Sequence, residues 1–258
     1  MSHPYEAFLR SFSTALEGAR RLPLGGLAPL SAAPRRADAP RTLIFAPHPD
    51  DECIVGGLPL RLQRELGHAV GVVPVTAGSR EDRRAPRLEE LAGACGFLGW
   101  DVVPPGEGLA AIVKREKPVL VLVPHARDAN STHRRVHVQV LAALKEAGYR
   151  GLVAETEFWS TLEDPNLMVE SSEREAADLV AALSFHVGEV SRNPYHALLP
   201  CFMADAVRRG GELVGAQGGK APDFRFATLY RLSRFDGAAL APLPARSIAA
   251  GGGLAALF

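Results

Sequence analysis

Short apolar segments of strand length alternate with segments of helical periodicity through the middle of this chain. Strands that alternate with helices are typical of βαβ units, in which mostly parallel strands form a buried central sheet. The sequence therefore predicts an α/β domain, a Rossmann-like three-layer arrangement with a mostly parallel sheet. The predicted strands are 42–47, 69–76, 102–103, 119–123 and 152–156, and the predicted helices between them are 54–66, 87–98, 109–116 and 132–145.

The two ends of the chain differ from this middle part. Helical periodicity continues at 172–187 and 194–209, and a last strand is predicted over 226–232. Residues 1–40 begin with an amphipathic pattern and continue as a linker rich in Pro, Ala, Gly and Arg. We expect this first helix to pack on the domain, which extends over 41–248, or on a partner subunit. The Gly/Ala-rich end, 249–258, is expected to be a loosely held, flexible tail.

Composition limits the expected partners and compartment. The formal net charge of the 258 residues is zero, which argues against binding to nucleic acid or to a charged membrane surface. Three widely separated cysteines favour a reducing compartment over a disulfide framework. Because no apolar run approaches the ~20 residues of a membrane span, we expect a cytoplasmic protein. Whether it forms a homo-oligomer stays open.

A dense run of ionisable side chains follows the first predicted strand. Residues 46–52 read Ala-Pro-His-Pro-Asp-Asp-Glu, and His48, Asp50 and Asp51 offer the imidazole and carboxylate groups that suit Zn²⁺ or Fe²⁺. Pro49 fixes its own φ and favours an extended residue before it, which stiffens the turn. A helix N-cap explains one aspartate but not the whole run. The run therefore predicts a metal site with a spare carboxylate that can move a proton.

A second polar cluster follows the predicted strand at 119–123. Loops at the carboxyl ends of parallel strands line a common crevice, so we expect the two clusters to converge. A His/Asp/His set of ligands would leave one coordination position open for water and substrate. Spacing does not decide whether His133 or His137, on one helical face, completes this set. The members of the second cluster are His125, Asp128, Asn130, His133 and His137.

Together these motifs resemble the PIG-L/LmbE family of metal-dependent N-acetylglucosamine-type deacetylases. The family's (A/P)HPDDE motif is matched at 47–52, and its R-x-x-E-L helix is matched at 87–91. Its later D-x-H-P-D-H-R block aligns without gaps to 128–134, and an E-x-W segment to 157–159. The resemblance covers about residues 41–235 and implies the family's α/β fold.

The resemblance also implies a division of roles. His48, Asp51 and His133 would hold one divalent metal ion per chain, with Zn²⁺ as the first choice and Fe²⁺ as the alternative. Asp50 would act as the general base on a metal-activated water. His137 stands where the family has glycine, so it is not expected to be a ligand.

The main departure from the family is Asn130. It stands at a family histidine implicated in stabilising the charged transition state. An amide can donate a hydrogen bond to an oxyanion but cannot carry a positive charge. We therefore expect Asn130, or else His125 or His196, to fill this role. The resemblance further suggests that Arg87 and Glu90 bind substrate, and His196 is included with them.

Three functions follow as hypotheses. The leading one is hydrolysis of an N-acyl group, usually acetyl, from an amino sugar or its conjugate, a small-molecule substrate. The second is a metal-dependent hydratase or lyase that adds water to a small unsaturated carboxylate. The third is a metal- or sugar-binding accessory protein without turnover. In the first, the charged stretch 80–84 is expected to be a solvated loop that closes over the sugar.

Overall fold

A mixed sheet forms the centre of the fold in this computed structural model, which describes residues 3–31, 36–104 and 106–258. Its strands are β1 (Arg41–Ala46), β2 (Ala69–Pro74), β3 (Asp101–Val102), β4 (Leu120–Pro124), β5 (Gly151–Thr156), β6 (Leu167–Ser171), β7 (Phe226–Phe235), β8 (Leu240–Pro242) and β9 (Arg246–Ile248). The order of the strands in the sheet is β3-β2-β1-β4-β5-β7-β6-β9, and β8 pairs with β7. All pairs from β3 to β5 are parallel, whereas β7 runs antiparallel to β5 and β6. This confirms the predicted α/β class.

Helices cover both faces of the sheet. Alternate residues of the central strands therefore belong to two different hydrophobic cores, one on each face. Ile44 and Leu122 belong to one core, while Phe45 and Val123 belong to the other. Within the described ranges, no helix has the length and apolar character needed to cross a bilayer. The helices are α1 (Pro4–Ala19), α2 (Asp51–Ile54), α3 (Gly57–Leu66), α4 (Glu81–Leu98), α5 (Leu109–Glu116), α6 (Ser131–Glu146), α7 (Glu173–Leu183), α8 (Val187–Val190) and α9 (Leu199–Gly210).

The helix predicted over 54–66 is divided into α2 and α3. Tyr230 of β7 occupies the break, where its hydroxyl donates to the Val55 carbonyl at 2.7 Å and accepts from the Leu58 amide at 2.9 Å. Gly56 lies at the same break, where an added Cβ would come within 3 Å of neighbouring atoms. A long-range contact therefore ends α2 after one turn, immediately behind the motif at 46–52.

The end of the chain is anchored to the domain by two leucines, in contrast to the flexible tail that we expected. Leu254 and Leu257 are buried in the core. The buried guanidinium of Arg61 donates to the carbonyls of Ile248 at 3.3 Å and Ala249 at 2.8 Å. These buried leucines and the Arg61 hydrogen bonds therefore hold the segment against the domain.

The N-terminal helix α1 buries none of its residues, so the expectation that it packs on this domain is wrong. Tyr5 and Phe8 are exposed on its surface. The chain joins the domain only afterwards, where Leu24 and Leu30 pack against the core and the Leu30 amide donates to the Phe97 carbonyl at 2.9 Å. Packing of α1 on a partner subunit remains a prediction.

Two further expectations are corrected by the structure. Residues 81–84 form the first turn of α4, so the charged stretch is helical and not a loop that could close over a sugar. The helix expected over 172–187 ends at Leu183, and the short α8 follows it. Strand β6 had no counterpart among the predicted elements.

Candidate metal site and its surroundings

The two polar clusters meet where β1 and β4 end. His48, Asp51 and His133 each offer a ligand atom, and these atoms lie within 4.8 Å of one another. Asp51 Oδ2 is 3.6 Å from both His48 Nδ1 and His133 Nε2. His137 lies outside the group, because its Nδ1 is 2.9 Å from the carbonyl oxygen of Pro124. The structure thus brings together the three residues that the family resemblance indicates.

The chemistry of this group fits a divalent metal ion. Asp51 Oδ1 and both ring nitrogens of His133 are buried without a hydrogen-bond partner among the described residues. Buried polar atoms are normally paired, and an unpaired one costs about 1–3 kcal/mol. Asp51 and His133 also line a cavity of about 10 Å³. Two imidazoles and one carboxylate are ligands that catalytic zinc and ferrous ions use, so a metal ion would satisfy Nε2 of His133 and the Asp51 carboxylate.

Asp128 orients the His133 ring. Its Oδ2 lies 3.6 Å from His133 Nδ1 and accepts from the Trp159 amide at 3.1 Å. Its Oδ1 accepts from the Asn130 amide at 2.7 Å. Burial alone would lower the pKa of His133, but the carboxylates of Asp128 and Asp51 raise it. Nε2 of His133 is left directed at Asp51, and a carboxylate at the other ring nitrogen is the usual way in which a metal-binding histidine is oriented.

Asp50 lies on a strained turn beside the metal group. Its φ is 121°, a region that L-residues rarely adopt. Its amide donates to Glu52 Oε2 at 2.9 Å, and its Oδ2 accepts from the Tyr195 hydroxyl at 2.5 Å. Burial, together with the charge of Asp51, raises the pKa of Asp50 to about 8 against the opposing effects of His186, the Tyr195 hydrogen bond and Arg87. A carboxyl group with a pKa near neutrality can both take up and return a proton.

A buried ion pair supports this turn from behind. His186 Nε2 lies 2.7 Å from Glu52 Oε1, and both side chains are fully buried. The Cys53 thiol donates to the same Glu52 oxygen at 3.1 Å. Burial raises the pKa of Cys53 well above its usual value, so the thiol stays protonated and is a poor nucleophile. Neither His186 nor Tyr195 had a sequence motif to mark it.

Asn130 and His125 lie on the loop that precedes α6. The side-chain oxygen of Asn130 accepts from the Thr132 amide at 2.8 Å and thereby caps α6. Its side-chain NH₂ group is the donor that remains for other contacts. The Nε2 atom of His125 lies 3.1 Å from the carbonyl oxygen of Ser160. Their assignment to the catalytic machinery stays a prediction.

Two of the residues expected to bind substrate lie on α4. The Arg87 guanidinium reaches the motif, where Nη2 donates to the Pro49 carbonyl at 3.0 Å and lies 3.6 Å from Asp50 Oδ2. Glu90 accepts from the Gly188 amide at 2.9 Å. Arg87 therefore adjoins the candidate site, whereas Glu90 fixes the start of α8.

His196 has a different neighbourhood from the one expected. Its buried ring lines an apolar cavity together with Leu22 and Phe226, and this cavity contains none of the metal-group residues. Burial lowers the pKa of His196, so the ring is neutral. Its neighbour Tyr195 is the residue of this loop that reaches Asp50.

Known proteins match this chain in fold and not in sequence. No family model matches it, and no curated protein matches it. Among solved structures, N,N'-diacetylchitobiose deacetylase from Pyrococcus horikoshii is 16% identical with a TM-score of 0.58, over 92% of this chain and 94% of that one. The 4-carboxy-2-hydroxymuconate hydratase from Pseudomonas putida KT2440 is 17% identical with a TM-score of 0.58, over 75% and 95%.

A zinc-inhibited form of teicoplanin deacetylase is 16% identical with a TM-score of 0.53, over 76% of this chain and 99% of that one. At these identities the similarity establishes a common fold. That fold is the one implied by the resemblance of the motifs to the PIG-L/LmbE deacetylases.

Proposed function

We propose that this chain is a metal-dependent hydrolase that removes an acyl group, usually acetyl, from the nitrogen of an amino sugar or its conjugate. The observation that carries this proposal is the group of His48, Asp51 and His133 beside the buried carboxyl of Asp50. Two of the solved structures with the same fold are deacetylases, one of N,N'-diacetylchitobiose and one of teicoplanin.

The side chains divide the reaction between binding and proton transfer. His48, Asp51 and His133 would hold the ion, which supplies Lewis acidity toward the amide carbonyl and the attacking water. Asp50 takes a proton from that water as the water oxygen bonds to the amide carbon. When the C–N bond breaks, Asp50 returns the proton to the leaving amine, so the products are the carboxylic acid and the free amino sugar.

Three neighbouring groups assist Asp50 and the developing oxyanion. The Tyr195 hydroxyl, at 2.5 Å, holds the Asp50 carboxyl in one orientation. Arg87 binds the backbone of the same turn at Pro49. A side-chain donor of Asn130 would stabilise the oxyanion, with His125 as the alternative.

A hydratase acting on a small unsaturated carboxylate is the second candidate. One solved structure with this fold is a hydratase of 4-carboxy-2-hydroxymuconate. Arg87, 3.6 Å from Asp50, offers a guanidinium to a substrate carboxylate at the reacting position. In this reaction Asp50 would move the proton of water in the same way, but no amine would be released.

Metal content and amine release, measured on the same samples, test the proposal. Protein purified without chelator is expected to hold one divalent ion per chain and to release amine from at least one member of an N-acetylated sugar panel. His48→Ala should lose both properties, while His137→Ala, one helical turn from His133, should keep the metal. Full metal content and amine release in His48→Ala would reject the proposal. Metal with hydration of an unsaturated carboxylate, and no amine release, would establish the second candidate.

A further inference from the structure

A polar cavity of about 270 Å³ lies next to the candidate site. Arg87 belongs to its lining and also reaches Pro49 and Asp50, so it connects the two places. Four of the eight lining residues are arginines and one is acidic. The reaction proposed above uses only Arg87 among them. We call this cavity the arginine pocket, and its lining is Ala77, Ser79, Arg80, Arg83, Arg87, Gly188, Glu189 and Arg192.

Arg83 occupies a place in the pocket that only glycine at position 188 allows. A Cβ on Gly188 would lie 1.4 Å from Arg83 Nη2. This nitrogen is buried and has no hydrogen-bond partner among the described residues, since Glu90 Oε1 is 3.6 Å away. A buried guanidinium donor without a partner is unfavourable, so an acceptor supplied by a ligand would stabilise it.

The acidic member of the lining does not neutralise the pocket. Glu189 is ion-paired with Arg192 and lies 3.9 Å from Arg87 Nε. Although burial opposes its charge, these arginines hold the pKa of Glu189 below its usual value. The Nε atom of Arg87 is itself buried without a hydrogen-bond partner among the described residues.

Carboxyl groups outside the lining also face its arginines. Arg80 is paired with the exposed Asp82 at 2.6 Å, and Glu90 faces Arg83 from outside the lining. With Asp50 beside Arg87 and with Glu189, four carboxyl groups face the four arginines. They still leave two buried guanidinium nitrogens, one of Arg83 and one of Arg87, without a hydrogen-bond partner among the described residues, and these donors are suited to an anion.

We infer that the arginine pocket binds a phosphate or carboxylate substituent of the substrate while the substrate's acylated nitrogen lies at Asp50. This inference rests on the proposed hydrolysis for the nature of the reacting end. Planar guanidinium groups bind both kinds of anion through paired hydrogen bonds, and the unpartnered nitrogens of Arg83 and Arg87 are the donors for such bonds. The substrate is thus an N-acylated amino sugar that carries an acidic group, and a neutral sugar is a poorer ligand.

Binding of product amines tests this inference separately from turnover. Glucosamine, glucosamine 6-phosphate and muramic acid already carry free amines, so calorimetry on the metal-loaded enzyme measures affinity alone. We expect at least one of the two charged sugars to bind ~10-fold more tightly than glucosamine, with a preference that shrinks as salt is raised. Comparison of glucosamine 6-phosphate with muramic acid then identifies whether the pocket binds phosphate or carboxylate.

Removal of the pocket's charge should abolish this preference. In a double variant, Arg83→Gln with Arg192→Gln, we expect the charged and neutral sugars to bind within about twofold of each other, because one of the two unpartnered donors and a second guanidinium of the lining are lost. Arg192→Gln alone, at an exposed side chain, should reduce the preference without risk to folding. Arg208→Gln, an exposed arginine on α9 paired with Asp205, is the matched control and should keep it.

Two results would overturn the inference: equal affinity of all three sugars for the wild-type enzyme, or an undiminished preference in the charge-removed variants. Failure of the proposed hydrolysis would give a different set of results from failure of the pocket. If no N-acetylated sugar releases amine but the charged product amines still bind more tightly, the hydrolysis is rejected and the pocket stands. If neutral and charged sugars are deacetylated with equal kcat/KM and bind equally, the pocket is rejected and the hydrolysis stands.

Discussion

Asp50 combines two features that oppose folding. Its φ of 121° is strained, and its buried carboxyl has a pKa raised to about 8. Such backbone strain costs about 1–3 kcal/mol and persists only where surrounding contacts enforce it. Here the contacts come from Glu52, which accepts a hydrogen bond from the backbone amide of Asp50, and from Tyr195, which donates one to the Asp50 carboxyl. The concentration of unfavourable terms at one carboxyl is what a proton-transfer residue is expected to show.

The strain at Asp50 predicts an inverted order of stability for two variants. Asp50→Gly should be about 1 kcal/mol more stable than Asp50→Ala, because glycine adopts positive φ without a Cβ clash. At the exposed helical position Lys145, the same comparison should favour alanine by about 0.5–1 kcal/mol. Urea unfolding of the four metal-free variants measures both differences. An alanine preference at position 50 would show that the backbone there is not strained.

The sequence identifies the metal group at the residue scale but not the groups that support Asp50. His48, Asp50 and Asp51 are adjacent in one short motif, and His133 belongs to a second motif after a strand. Tyr195 is 145 positions from Asp50 along the chain, and no pattern around it indicates the contact. A pairwise contact of that kind depends on how α7 to α9 fold back over the turn, which local periodicity does not encode.

At the scale of elements, strong periodicity predicted most of the strands and helices, and long-range contacts decided the exceptions. The helix α5 has the bounds that were expected. Strand β6 was missed because its five residues pair with β7 and β9, which follow about 55 to 80 positions later in the chain. The break between α2 and α3 was missed because it depends on the Tyr230 hydroxyl.

The two parts of the N-terminal segment, α1 and the chain that follows it, contribute differently to the free energy of unfolding. Since α1 buries nothing, removal of residues 1–19 should change the free energy of unfolding by less than ~0.5 kcal/mol. Removal of residues 1–31 should cost about 2 kcal/mol or more, because Leu24 and Leu30 leave the core. Urea titrations of both truncated proteins test this pair of values. Equal destabilisation by the two truncations would mean that α1 packs against the domain in solution.

At the scale of the whole molecule, a metal ion would join two distant parts of the chain. His48 and Asp51 follow β1, whereas His133 lies in the first turn of α6. These segments do not lie together in the unfolded chain, so a metal ion would bind the native state preferentially. Occupancy of the site would therefore be coupled to global stability.

Added Zn²⁺ should stabilise the protein against unfolding by about 2.7 kcal/mol at a free concentration 100 times the dissociation constant. Thermal unfolding with Zn²⁺ and with chelator measures the difference. His133→Ala should show almost no shift, because one of three ligands is gone. His137→Ala is the control and should retain the shift, since its ring is bonded to Pro124. An equal shift in both variants would place the ion elsewhere.

The edge strands at the two ends of the strand order are short. Strand β3 at one edge has two residues, and β9 at the other has three. A long exposed edge strand acts as a template to which strands of other chains can pair, the first step of amyloid-like stacking. In the described part of this chain, β3 and β9 offer too few backbone hydrogen-bonding groups for such pairing. Any self-association would therefore rely on side chains, and Tyr5 and Phe8 of α1 present an exposed apolar surface.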